Sequence, residues 1–377
     1  MIDRIVGFDT TSRNSNLELI HWIRDYLAGH GVGCELFLDA DNRKANLFAT
    51  IGPTDRGGIM LSGHTDVVPI DGQDWSTDAF RVVEKDGRLY GRGTTDMKSF
   101  VAIALAMVPK FLARPLKTPI HLAFSYDEEV GCIGVRSMVN ALAQRPIRPA
   151  ACIVGEPTDM HVIVAHKGKR SYRCHVTGFE SHSSICHTAV NAVEAAAEVV
   201  AELKRMARQH RDQGPHDPAF DPPYTTIHTG LIQGGTALNI VPKDCFFDFE
   251  FRYLPSADPF ALLAQIQAFA DTRVIPEMQA IRPETGFTWN ELSEIPGLST
   301  PDDDPVVELA RSLTGANRTG KVSFGTEAGL FEAAGIPTVV CGPGNIDQAH
   351  KPNEFVTLDQ LAACETFLTR LVDRVTA

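Results

Sequence analysis

The chain has 377 residues, 44% of them hydrophobic and 22% charged, the profile of a folded globular protein long enough for two domains. With 47 acidic against 35 basic residues the formal net charge is −12, so a broad phosphate-binding surface would work against the overall field. Disordered and fibrous classes are excluded on composition, and neither nucleic acid nor an anionic membrane is expected as a partner.

The longest apolar run, near Phe100 to Val108, is interrupted too soon to span a bilayer. The start Met1-Ile2-Asp3-Arg4 has no basic stretch leading into an apolar core, so a cytosolic protein is expected. The eight cysteines are scattered and never form Cys-x-x-Cys, which argues against both a disulfide scaffold and a structural zinc knot.

In chain order, Ser15-Asn16 marks the start of a helix with apolar residues Leu17, Ile20, Ile23 and Leu27 at helical spacing and Gly31 near its end. Strand-like runs follow at Cys34 to Leu38, Ala45 to Ile51 and Gly58 to Ser62, the last stopping at Gly63-His64-Thr65-Asp66. Phe100 to Phe111 reads as a buried helix, and Thr118 to Ser125 as a strand stopping at Asp127-Glu128-Glu129. Val135 to Leu142 is helical, and Ala150 to Val154 is a strand stopping at Gly155-Glu156-Pro157. Strands alternating with helices predict an α/β domain with a mainly parallel sheet and helices on both faces.

After Lys169 the style changes. A strand at Arg170 to Thr177, a helix at Ala189 to Met206, strands at Thr225 to Ile232 and Cys245 to Arg252, a helix at Pro259 to Ala270 and a last strand after Arg273 give the order β-α-β-β-α-β of an α+β ferredoxin-like unit. Gln209 to Pro223, rich in His, Asp and Pro, reads as an exposed loop. The α/β style then returns with a helix at Val306 to Leu313, a strand at Pro337 to Cys341 and a helix at Leu358 to Val375. The expected organisation is therefore a discontinuous first domain, residues 1–169 and 286–377, with a second at 170–285 inserted into it.

Three predicted strands end in an acid or a histidine: His64 with Asp66, the triplet Asp127-Glu128-Glu129, and Glu156. In an open α/β sheet the carboxyl ends of the strands form the ligand crevice, so these side chains are expected to converge. A glycine-rich turn, Gly91-Arg92-Gly93-Thr94-Thr95-Asp96-Met97-Lys98, and the stretch Cys341 to Glu354 with His350 complete the candidate set. The turn lacks both the Lys-Ser/Thr of a phosphate loop and the spacing of a dinucleotide fingerprint. Nitrogen and oxygen donors without a thiolate suit a pair of zinc, cobalt or manganese ions. Asp66 can accept the proton of the His64 ring nitrogen that does not bind metal. Of the neighbours Glu128 and Glu129, one bound to metal leaves the other to act as general base toward water. Singly, each of these residues has an ordinary structural explanation; their joint occurrence at strand mouths carries the reading.

Together these motifs resemble the two-zinc amidohydrolases and metallopeptidases, a family that includes acetylornithine deacetylase, succinyl-diaminopimelate desuccinylase, aminoacylase and related carboxypeptidases. The resemblance spans essentially the whole chain, through His64-Thr65-Asp66-Val67-Val68-Pro69, the Asp96 turn, Asp127-Glu128-Glu129-Val130-Gly131, Gly155-Glu156-Pro157-Thr158 and Ala349-His350-Lys351-Pro352. It implies two Zn2+ per subunit, replaceable by Co2+ or Mn2+: Asp96 bridges them, His64 and Glu156 hold one, and Glu129 and His350 hold the other. Glu128 becomes the general base toward a water bridging the metals. The inserted domain is implied to be a lid and homodimerisation module. In it Ser181-His182-Ser183-Ser184 matches a histidine motif and Gly234 to Pro242 an asparagine motif. His182, from a second copy, is implied to stabilise the oxyanion, and Asn239, Arg252 and Thr326 to bind substrate, with Arg252 on the α-carboxylate.

Within the family, Phe324 to Ala328 and Gly342 to His350 look most like acetylornithine deacetylases, which implies hydrolysis of an N-acetylated amino acid, N2-acetyl-L-ornithine first, as a step in arginine biosynthesis. Three positions depart from the usual pattern: Ser181 and Ser99 where glycine is common, and Cys186 where proline is usual. The alternatives are a deacylase with another preference (acetylcitrulline, succinyl-diaminopimelate or general acylamino acids), a metal-free binding protein on the same scaffold, and phosphate-ester hydrolysis, for which only Arg92 and Lys98 offer extra charge.

Overall fold

A computed structural model describes residues 1–376. The chain divides into two units: residues 1–165, 298–321 and 326–377 form one, and residues 166–297 with 322–325 the other.

The first unit is built on a nine-stranded mixed sheet. Its core is four parallel strands in the order Ile120–Ser125, Ile59–His64, Ala151–Pro157 and Thr338–Gly342. Antiparallel strands extend it on one side through Ala45–Ile51 and Cys34–Leu38, and on the other through Val162–His166. The central strands are buried along their whole length, which is why they read as continuous apolar runs rather than alternating ones.

Alternation instead assigns residues to the two faces. Leu47, Ala49, Leu61, Leu122, Phe124, Ile153 and Val339 join one core cluster, together with the apolar faces of the helices Leu17–Gly29, Lys98–Ala106, Pro305–Thr314 and Leu358–Thr376. Their neighbours Phe48, Met60, Ala123, Cys152 and Val340 are also buried but lie outside that cluster, turned toward the helices Val135–Ala143 and Ala328–Ala333. Asn46, on this second face, donates to Gly134 O at 2.9 Å and to Ser137 Oγ at 3.0 Å. Helices therefore cover both faces, as expected from the strand–helix alternation.

Close backbone approach decides one glycine. A β-carbon at Gly155 would lie 2.0 Å from Cγ of Phe100, so only glycine lets the helix Lys98–Ala106 seat against the strand that carries Glu156.

The second unit has a four-stranded antiparallel sheet in the spatial order Thr226–Gly234, Asp244–Tyr253, Gly168–Thr177 and Gly286–Ile295. Counted along the chain, that order is second, third, first, fourth. Tyr172, Cys174, Val176, Phe247, Phe249 and Phe251 point from one face into a core shared with the helices Ala192–Gln213 and Pro259–Phe269. The β-α-β-β-α-β order is as expected, but its boundary is not: Gly286–Ile295 is the fourth strand of this sheet, so the unit extends past residue 285 to Gly297. The helix also runs on through Gln213, past the expected loop start at Gln209, until Gly214 and the proline after it end it.

The sequence pattern missed a small antiparallel sheet of Val83–Lys85, Arg88–Tyr90 and Phe355–Thr357. The expected single helix Phe100 to Phe111 is two, Lys98–Ala106 and Val108–Leu112, because Pro109 cannot donate to a continuous ladder. Among the described residues no helix is long and apolar enough to cross a membrane.

Gly155→Ala forces the added methyl into the Phe100 ring, and over-packing of this kind costs about 3 kcal/mol. The unfolding midpoint in denaturant is expected to fall accordingly; an unchanged midpoint would refute the close-approach argument.

Candidate metal centre

The four parallel strands bring their carboxyl ends to one edge of the sheet. His64 closes the strand Ile59–His64, with Ser125 as its registered neighbour, so Asp127, Glu128 and Glu129 emerge beside it. Glu156 lies near the end of Ala151–Pro157 on the other side. Asp96 sits in the turn before the helix Lys98–Ala106, and His350 in the loop after Thr338–Gly342.

Asp96 is the hub. Its Oδ1 lies 3.0 Å from His64 Nε2 and its Oδ2 3.3 Å from His350 Nε2, so one carboxylate faces both histidines. Glu156 Oε1 is 3.6 Å from His64 Nε2, and Glu129 Oε2 is 3.0 Å from His350 Nε2. Ligand atoms of His64, Glu128 and Glu156 lie within 4.8 Å of one another, as do those of His64, Asp96 and Glu129. The structure thus gathers all five residues expected to hold metal, with Glu128 among them. The donors are two imidazoles and several carboxylates without a thiolate, and this set fits a pair of divalent ions such as zinc.

The electrostatics agree with that fit. Burial works against a charged His64 ring, but Glu156, Asp66 and Asp96 outweigh it and hold the ring well above the ordinary histidine range. Hydrogen bonds to Asp96 and Glu129 push His350 up to about 10. Burial, reinforced by neighbouring carboxylates, pushes Glu128 up to about 8 and Glu129 to about 7. Burial also raises Glu156, with Asp96 adding to it; Asp96 resists the same burial and stays low, because both histidines bond to it. Protons here stand where cations are needed, and a divalent ion entering the cluster must displace them.

A layer of further bonds sets the geometry. His64 Nδ1 faces the backbone oxygen of Asp66 at 2.9 Å and its carboxylate Oδ1 at 3.5 Å. A carbonyl can only accept, so Nδ1 carries the proton and Nε2 is left for a metal. The Asp66 carboxylate, expected at that proton, faces the same nitrogen at the longer distance. Asp66 also accepts from Ser12 Oγ at 2.7 Å and from the backbone N–H groups of Glu128 and Glu129 at 3.2 and 3.3 Å. It therefore positions the acidic pair. Glu128 Oε1 accepts from the Cys132 thiol at 3.3 Å, and burial keeps that thiol protonated.

Several contributing residues escaped the sequence reading. Glu354 Oε1 accepts from the backbone N–H of Thr95 at 2.8 Å and of Asp96 at 3.0 Å, while its Oε2 pairs with Arg92 Nη1 at 2.6 Å, all buried. Glu327 holds the hydroxyls of Ser62 and Ser125 at 2.6 and 2.7 Å, two strand residues just below His64 and Tyr126. Lys44 pairs with Asp127, whose backbone is left-handed at φ 55°. The available signal was charge at positions that must be buried: Glu354 stands in the same stretch as His350, directly before the strand Phe355–Thr357.

The remaining expected residues have local partners of their own. Thr326 is buried, and its hydroxyl accepts from Ala328 N–H at 3.1 Å, two residues ahead of a short helix. In the second unit the segments of His182 and Asn239 run antiparallel, with Ser183 N–H donating to Asn239 O at 3.0 Å and Val241 N–H to Ser181 O at 2.8 Å. His182 is exposed, and its Nδ1 accepts from Ser184 N–H at 3.1 Å. Arg252 Nε is bonded to Glu250 at 2.9 Å.

Comparison with known proteins adds four findings. Residues 60–374 match the model of peptidase family M20/M25/M40. An acetylornithine deacetylase of Myxococcus xanthus is 35% identical, covering 98% of this chain and 95% of that protein. Among solved structures, aminopeptidase PepT from Bacillus cereus shares the fold with a TM-score of 0.75 and 21% identity, over 100% of this chain and 97% of that one. Bacillus subtilis YXEP, described as a dinuclear metal-binding peptidase, has a TM-score of 0.63 and 15% identity, over 98% and 96% of the two chains.

Removing one partner of a buried ion pair leaves the other uncompensated, at about 3–5 kcal/mol. Glu354→Ala, which also frees the Thr95 and Asp96 N–H groups, is expected to lower the stability of the metal-free protein by that amount. Equal unfolding midpoints for variant and wild type would show that the Arg92–Glu354 pair does not hold the Asp96 turn.

Proposed function

The chain belongs to peptidase family M20/M25/M40, a family of metal-dependent hydrolases, and from that premise we propose that it deacetylates N2-acetyl-L-ornithine, giving L-ornithine and acetate in arginine biosynthesis. The observation that carries the reading is Asp96 facing both histidines with Glu128 beside them and bonded to neither. The 35% identity to a deacetylase over nearly the whole chain supports the substrate class.

His64 and Glu156 would hold one zinc ion, His350 and Glu129 a second, and Asp96 both. Bound there, the ions would act as Lewis acids on the acetamide carbonyl and make water more acidic. Glu128 takes the proton from the attacking water and hands it to the departing α-amino nitrogen, so the amide C–N bond breaks as the new C–O bond persists. Asp66 keeps Glu128 and Glu129 in register by accepting both of their N–H groups. Because His182 Nδ1 already accepts from Ser184, its Nε2 is the protonated nitrogen, the form needed to donate to an oxyanion. In this reading the unit around residues 166–297 pairs two copies, so that His182 acts at the second copy's centre. Asn239 and Arg252 bind the substrate, Arg252 through the free end of its guanidinium, and the enzyme works in the cytoplasm.

A panel of N-acetyl and N-succinyl amino acids, assayed with added zinc or cobalt, tests the assignment. The highest kcat/KM is expected for N2-acetyl-L-ornithine; preference for acetylcitrulline or succinyl-diaminopimelate would replace the substrate, and hydrolysis indifferent to chelator would remove the metal chemistry. Glu128→Ala should lose roughly 100- to 10 000-fold in kcat, the usual contribution of a general base, while the metal content stays unchanged. Near-normal turnover in that variant would exclude Glu128 as the base.

A further inference from the structure

We propose that the segment Gln73 to Ser76 is a brace for the turn carrying His350, and that Gln73 thereby sets the affinity of the metal position served by His350 and Glu129 independently of the one served by His64 and Glu156. The inference rests on the two-metal reading above.

The two positions are not held alike. His64 and Glu156 are strand residues whose side chains are 0% and 5% exposed. The His350 side chain is 53% exposed, its backbone is left-handed at φ 62°, and no helix or strand contains it. A non-glycine residue in that conformation persists only where its surroundings fix it.

Those surroundings are specific. Gln73 Nε2 donates to His350 O at 2.9 Å, while Gln73 Oε1 accepts from Arg92 Nη2 at 2.5 Å and from Trp75 Nε1 at 3.0 Å. The Arg92 guanidinium lies 5.1 Å from the Trp75 ring centroid and pairs on its other side with Glu354, which holds the Asp96 turn. Three residues beyond His350, Asn353 is again left-handed, at φ 57°, and its Oδ1 accepts from Ser76 N–H and Oγ at 2.8 and 2.7 Å. One amide thus ties the backbone of His350 to the ion pair behind Asp96, and a second tie fixes the same turn at Asn353. No comparable bond from this segment reaches His64 or Glu156 among the described contacts. Partners in the layer behind metal ligands typically account for 10- to 100-fold in affinity.

Two substitutions separate the bonds. Gln73→Ala removes the whole amide, whereas Gln73→Glu keeps an acceptor for Arg92 and Trp75 but cannot donate to the His350 carbonyl. Metal-free full-length protein is titrated with zinc against a competing chelator, and His350→Ala identifies which binding step belongs to that residue. Both Gln73 variants are expected to weaken that step by about 10-fold or more and to leave the other within about twofold, the range for such partners. Thermal unfolding of metal-free Gln73→Glu, which keeps an acceptor for Arg92 and Trp75, should match wild type. Affinities unchanged, both steps weakened equally, or an effect of Gln73→Ala alone would overturn the brace. Wild type binding two ions while both variants equal it would sink only this inference; wild type binding fewer than two would sink the two-metal reading and the brace together.

Discussion

One carboxylate shared by two imidazoles governs this structure. Asp96 can meet His64 and His350 together only if a turn, a strand end and a loop from distant parts of the chain arrive at one point. Each arrival has its own physical cause. The strand end comes with the parallel sheet, the turn is seated where Phe100 packs on Gly155, and the loop is clamped by Glu354 bonding the backbone ahead of Asp96. Several acids withdrawn from water around that point would repel one another, and burying them is tolerable only with positive charge among them. Divalent ions at this point would in that sense be part of the fold.

Much of this was legible in the sequence. The run from Ile59 to Leu61, entirely apolar and stopped by Gly63-His64, announces a central strand and its functional end at once. Glu156 and the triplet at Asp127 follow the same logic, because a parallel sheet gathers strand ends however far apart they lie in the chain. What the sequence could not convey was the layer behind the ligands. Glu354 stands in the same stretch as His350, but nothing local tells a carboxylate facing solvent from one accepting two backbone N–H groups. Strands of three residues, such as Arg88–Tyr90 and Phe355–Thr357, are too short for alternation to register. The fourth strand of the second unit, Gly286–Ile295, follows a long helical stretch and carries polar residues on its exposed side, so its membership depends on pairing with Gly168–Thr177 rather than on composition.

Within the second unit the same principles lead to a different outcome. Its antiparallel sheet buries one face under helices and leaves the other polar, as the alternation along Gly168–Thr177 and Asp244–Tyr253 records. Arg173 paired with Asp248, and Lys169 with Glu250, lie on that open face. The segments around His182 and Asn239 in this unit run side by side although more than fifty residues separate them, so their geometry is set by one local pairing.

The three-residue pairing of Phe355–Thr357 with Arg88–Tyr90 has a temporal side. A ribosome delivers His64, Asp96 and Glu156 early, while much of the chain is still to be made. His350 and Glu354 come near the end, and nothing upstream substitutes for the bonds they make. The cluster around Asp96 is therefore complete only once the final stretch is paired with Arg88–Tyr90, a strand that lies in the first quarter of the chain.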